Sequence, residues 1–141
     1  MDNVGIVVND LAAAVAFFKE LGLELEGEAQ VAGPSVDRLV ALDGVRCDLA
    51  MMRTPDGHAR LELMKFRSPA AVSAEPTNAP ANALGIRRIM FAVEGIEDVI
   101  ARLRTHGAEL VGEMVQYENS YRLCNLRGPE GILIALAEKI G

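Results

Sequence analysis

Apolar residues at positions 11, 14, 15, 18 and 21 recur at the three-and-four spacing of a helix with one buried face. This run, Asp10 to Leu21, follows a short strand-like segment at Val4 to Val8, with Asn9 or Asp10 placed to cap the helix and Gly22 to end it in a left-handed conformation. Four further strand-like stretches come next: LELEGEAQV, VDRLVALDG, VRCDLAMMRT and ARLELMKF. Gly33-Pro34, Asp43-Gly44 and Pro55-Asp56-Gly57 punctuate them as turns. The first part of the chain therefore reads as a strand, a helix and then strands.

From Ser68 to Leu84 the composition shifts to Ala, Pro, Ser, Thr and Asn, and Pro69, Pro76 and Pro80 forbid a continuous helix, so this is a connector. Then the pattern restarts. IRRIMFAVE is a strand, Gly95 to His106 a helix closed by Gly107, and AELVGEMVQY, SYRLCNLRG and ILIALAEK are strands, the last two joined at Pro129-Glu130-Gly131. DLAAAVAFFKELGLELEGE lies over GIEDVIARLRTHGAELVGE, and PDG before one closing strand answers PEG before the other. The helix-ending glycines Gly22 and Gly107 stand about 85 residues apart, which with two copies is a duplicated module, not a solenoid. The expected organisation is a first module over 1–67, a connector over 68–84 and a second module over 85–141, folded as one compact domain. A helix on one face of each strand set leaves the other face to be covered by the second copy, with a cavity expected between them.

Composition narrows the possibilities. The chain has 141 residues, half of them apolar, and a net charge of −6. Its field opposes nucleic acid and anionic membrane, and no basic run offsets that. No apolar stretch approaches the roughly 18 to 20 residues that cross a bilayer, and the start lacks the layout of a secretory signal, so a cytoplasmic protein is expected. Cys47 and Cys124 have no CxxC partner and read as free thiols. No nucleophile elbow and no GxxxxGK phosphate loop occurs.

The repeated units, with VGIVVNDLAAAVAFFKELGLEL, RLELMKF, RIMFAVEGIEDVIARLRTHGAELVGE and RGPEGILIAL, resemble the vicinal oxygen chelate superfamily over nearly the whole chain. That superfamily includes glyoxalase I, bleomycin-resistance and fosfomycin-resistance proteins, methylmalonyl-CoA epimerase and extradiol dioxygenases. The resemblance implies an α+β fold, two βαβββ modules forming a curved mixed sheet around a cavity, and a homodimer. Metal-using members take ligands from the first, fourth, fifth and eighth strands, and these positions fall on Asn3, Glu62, Arg88 and Ala135. Only Glu62 keeps the expected type. An Asn amide is a poor substitute for imidazole, a guanidinium offers only donors, and Ala has no donor atom. The two histidines fall elsewhere, His58 in a turn and His106 at the end of the second helix. We therefore expect no metal and no cofactor.

Strand alternation proposes what shares the wall with Asn3. Val7, Glu62, Met64, Arg88, Met90, Leu133 and Ala135 fall on it, joined by Met51 or Met52, of which Met52 is taken, and by one parity of Tyr121 to Asn125, of which Tyr121 is taken. Leu61, Leu63 and Phe66 are expected to meet the helix. Methionines 51, 52, 64, 90 and 114 suit an adaptable apolar lining, though each can equally be core. Glu62 and Arg88 could fix a ligand of opposite charge or form an ion pair with each other.

Three functions remain open. One is metal-independent binding or sequestration of a small organic molecule. A second is a glyoxalase-like lyase or isomerase with Glu62 as catalytic base and Arg88 stabilising an enolate, for which Tyr117, Tyr121 and Cys124 are the candidate second proton carriers. The third is a dimeric interaction module presenting Gln116 to Tyr121. With no Trp and six aromatic residues, stacking of a large planar drug is disfavoured against a smaller or more aliphatic ligand.

Overall fold

The computed structural model describes residues 1–74 and 76–141. The chain divides into two units, Met1–Ala74 and Glu75–Gly141, with the division inside the proline-containing stretch after the fourth strand.

In the first unit the order is β1 (Val4–Val7), α1 (Leu11–Glu20), β2 (Glu24–Ala32), α2 (Pro34–Val40), β3 (Arg46–Arg53) and β4 (Arg60–Ser68). The strands form a mixed sheet in the order β1-β4-β3-β2, parallel between β1 and β4 and antiparallel elsewhere. Asp10, not Asn9, caps α1 by accepting from the Ala13 N–H at 3.0 Å. At the other end Gly22, at φ +107°, turns the chain so that the Leu23 N–H reaches the Phe18 carbonyl at 2.9 Å. The helix buries Ala14, Phe17 and Phe18 against one face of the sheet, where Ile6, Ala50, Met52, Leu61 and Leu63 are also buried. The Phe17 and Phe18 rings meet edge to face at 5.2 Å, a geometry worth about 0.5–1.5 kcal/mol beyond its buried area.

The second unit repeats the plan with β5 (Arg88–Ala92), α3 (Ile96–Arg104), β6 (Glu109–Tyr117), β7 (Tyr121–Arg127) and β8 (Leu133–Lys139), in the order β5-β8-β7-β6. Ile96, Val99, Ile100 and Leu103 of α3 are buried, as are Cys124, Leu126, Ile134 and Leu136 of the sheet. Glu138 of β8 accepts from the backbone N–H groups of Gly95 and Ile96, supplying at the start of α3 the cap that Gly95 has no side chain to make. Both units are thus one four-stranded sheet with a helix on one face, an α+β architecture.

The segment VDRLVALDG, expected as a strand, is instead largely the short helix α2. Pro34 presets the backbone angle of the first helical residue, and Ala41, at φ +58°, ends the helix. The Asp37 carboxylate then accepts from the N–H groups of Gly44 (3.0 Å) and Val45 (2.8 Å), tying the helix to the start of β3. β2 and β3 pair directly with each other, so this segment does not run as a strand between them. Short apolar runs do not distinguish the two states by periodicity alone.

The two turns that look alike in sequence differ in packing. Gly57 (φ +74°) and Gly131 (φ +78°) both need the left-handed conformation, but a Cβ on Gly57 would meet nothing within 4 Å, whereas one on Gly131 would overlap the Thr77 backbone. Gly57→Ala should therefore cost about 1 kcal/mol of conformational strain, and Gly131→Ala about 3 kcal/mol or more. Urea denaturation followed by circular dichroism checks the ranking; equal costs would refute it.

Candidate functional site

With α1 on one face of the first sheet, the other face is set by register. Gly5 pairs with Glu62 and Val7 with Met64. Across β3, Glu62 faces Met51, Met64 faces Leu49 and Phe66 faces Cys47, and Met51 continues to Gly27. Glu62 therefore sits half-buried in a row whose ends are glycines, with the Met64 tip leaning over Gly5. Val7, on the same face, is 44% exposed. Arg60 and Arg53, also of this parity, are held by acids: Arg60 by Glu26 at 3.2 Å and Asp2 at 3.7 Å, Arg53 by Glu24 at 3.3 Å. Among the described residues no ion pair involves Glu62. Asn3 precedes β1, and its amide nitrogen donates to the Asp2 carboxylate at 2.8 Å.

Two expectations for this unit are corrected. Met52 pairs with Leu61 and Leu25, so it belongs to the helix face, where it is fully buried; Met51 is the methionine beside Glu62. Phe66 shares the parity of Glu62 and Met64 and does not meet α1 with Leu61 and Leu63. The positions of helix-face parity beyond Leu63 are Lys65 and Arg67.

In the second unit, register places Arg88 beside Leu133 and Met90 beside Ala135, and β7 continues these rows with Arg127 and Asn125. Farther along lie Ala92, Ala137 and Leu123, and beyond them Lys139 and Tyr121. Arg88, Met90, Leu133, Ala135 and Tyr121 thus share the helix-free face. Arg88 and Met90 are exposed, while Leu133 and Ala135 are buried on the inner strand β8. Asn125, within the stretch of which one parity is expected on this wall, shares their face, and Arg127, beyond that stretch, joins through the same parity of β7. Tyr117 pairs directly with Tyr121, both exposed. Cys124 lies on the helix side with Leu136, so it is unavailable as a proton carrier beside Arg88.

Both thiols are pushed above the usual cysteine range. Burial is the main cause at Cys47, with the negative charges of Asp48 and Glu62 adding to it; at Cys124 burial acts against a hydrogen bond from the Leu136 backbone. Neither is an activated nucleophile. A cleft of about 670 Å³ opens on the helix side of the first unit, where Lys19, Lys65 and Arg67 face Asp10, Glu28 and Asp48. Its charges balance, and Arg67 is held by Asp48 at 2.6 Å. That cleft lies on the opposite side of the sheet from Glu62.

In neither unit do the residues at the positions that the resemblance matches to metal ligands fit a divalent ion. In the first, Glu62 has one carboxylate with Gly5, Met51 and Met64 around it, and Asn3 offers a weak amide. In the second, the Arg88 guanidinium offers only N–H groups and no lone pair for a metal, and Ala135 has no donor atom.

The family model of the Glyoxalase/Bleomycin resistance protein/Dioxygenase superfamily matches residues 1–136. The crystal structure of a glyoxalase family protein from Bacillus cereus is 56% identical, with a TM-score of 0.95 covering 100% of this chain and 94% of its own. A glyoxalase family protein from Enterococcus faecalis shares the fold at 24% identity and a TM-score of 0.63, over 98% of this chain and 96% of its own. The uncharacterized protein YaeR of Escherichia coli K12 is 25% identical over 138 residues, 97% of this chain and 94% of its own. Among the described residues no helix is long and apolar enough to cross a membrane.

The opposite faces of Met51 and Met52 make a direct test. Met52→Ala should destabilise by about 2–5 kcal/mol through the cavity it leaves, and Met51→Ala by less than about 1 kcal/mol. Chemical denaturation of the two variants checks this, and a reversed order would contradict the register.

Proposed function

Since the chain belongs to the glyoxalase/bleomycin resistance protein/dioxygenase superfamily, we propose that it binds a small organic molecule without metal on the helix-free faces of its sheets. The observation that carries this reading is the guanidinium of Arg88 at a position where metal-using relatives place a ligand. In the second unit a fixed positive charge repels a divalent ion, and in the first the matched positions supply only one carboxylate and one amide. Beside Glu62 in the first unit stand Met51 and Met64, and beside Arg88 in the second stand Met90 and Leu133; each set favours an apolar ligand body over a highly polar one. Sequestration is the simplest activity such a surface supports.

One observation favours a second reading, a lyase or isomerase of the glyoxalase or epimerase type. Glu62 is half-buried and lies in no ion pair among the described residues, as a base that removes a proton next to a carbonyl would need to be. The same proposal places a homodimer in the cytoplasm, and the exposed pair Tyr117 and Tyr121 offers the amphipathic aromatic surface that interfaces use.

Elemental analysis of protein purified without added metal, followed by titration with nickel, zinc, manganese and iron, tests the principal reading. Substoichiometric metal and no saturable uptake are expected, with binding of an apolar fluorescent probe unchanged by chelator. Stoichiometric nickel or zinc bonded to Glu62 would overturn it. For the second reading, Glu62→Gln should lower any turnover by about 10²- to 10⁴-fold while probe binding persists. Undiminished turnover in that variant would remove the enzyme.

A further inference from the structure

We infer that the ligand is an aliphatic carboxylate whose head is taken by Arg88 on the helix-free face of the second unit. This rests on the reading that the face binds a small molecule without metal, and it names the class of molecule.

The charge pattern is the first reason. Arg88 is exposed, and among the described residues it enters no ion pair. In the same row, two strands away, Arg127 donates to the carbonyl oxygens of Ala79 at 2.6 Å and Gly131 at 3.1 Å. Carbonyls satisfy its donors without cancelling its charge. The carboxylate in that row is Glu109 on the edge strand β6, exposed and in no ion pair among the described residues. Two arginines whose backbones stand about 10 Å apart, on either side of the buried Leu133, thus enter no ion pair among the described residues. A guanidinium keeps its charge, so that of Arg88 must be met by an anion or by water.

The second reason is the surface beside it. Moving along the strands from Arg88, the next rows present Met90 and Ala135, then Ala92, Ala137 and Leu123. Met90 is 51% exposed although apolar. Two rows of a sheet run about 13 Å, enough to lay an extended alkyl chain over Met90, Ala92, Ala137 and Leu123, with Ala135 itself buried and Asn125 on the far side of its row. The planar guanidinium pairs with a carboxylate through two parallel hydrogen bonds. A monoanion matches the one guanidinium that is not already engaged by carbonyls, whereas a phosphate dianion would call for further free donors. The overall charge of −6 opposes anions at long range, so recognition depends on these local groups.

Calorimetric titration of the full chain with octanoate, octan-1-ol and octylammonium at neutral pH tests the inference, using the wild type, Arg88→Met and Arg88→Lys. Octanoate should bind roughly ten- to a hundredfold tighter than octan-1-ol, a preference lost in Arg88→Met and partly retained in Arg88→Lys. Circular dichroism spectra and thermal melts matching the wild type report that the variants are folded. Equal affinity for octanoate and octan-1-ol, or a preference that survives Arg88→Met, would overturn the carboxylate while leaving a neutral-ligand site standing. Preference for octylammonium would overturn it and point to Glu62. If none of the three binds, the small-molecule reading fails and this inference falls with it.

Discussion

Side-chain parity, locked by two parallel strand pairings, is the constraint from which the candidate chemistry follows. β1 lies alongside β4 and β5 alongside β8, and in each pair the register fixes which residues share a face. A slip of one residue would move Glu62 or Arg88 to the helix side and bring Leu61 or Ile89 out in its place. The helices resist that slip because Ala14, Phe17 and Phe18 of α1, and Val99, Ile100 and Leu103 of α3, are buried against one parity only.

Each sheet therefore divides its labour between two faces. The helix side is apolar core with polar contacts at its rim, such as Arg122 with Glu97 and Glu138, and Arg67 with Asp48. The other side carries the ion pairs of Arg53 and Arg60 in the first unit, together with Glu62 there and Arg88 in the second unit, which enter no ion pair among the described residues. An ionised group with no protein partner gains little for stability, so its place is better understood through what it can meet.

The family supplies a fold and a location, not a chemistry, because activity resides in side chains placed on the scaffold. This chain keeps the duplicated βαβββ plan over residues 1–136 while carrying Arg and Ala at two of the positions matched to ligands. A module can keep its hydrophobic helix–sheet contacts while its other face changes, since the two parities share a backbone but not a packing environment. That separation lets one architecture accompany very different sites.

Both helices with a buried face, the glycines that end them, and the repetition of the module were determined by the sequence itself, because periodicity and left-handed turns are local properties. So was the alternation within each strand, which groups Arg60, Glu62 and Met64, or Arg88, Met90 and Ala92. Alternation does not say which residue of a neighbouring strand stands beside which, and that is a matter of register. Only the tertiary structure decided that Met51 and not Met52 lies next to Glu62, that Phe66 turns from the helix, and that Asn125 and Arg127 share a face with Arg88. It likewise decided that residues Pro34–Val40 coil as a helix, which Pro34 starts, Ala41 ends and the Asp37 carboxylate ties to the beginning of β3.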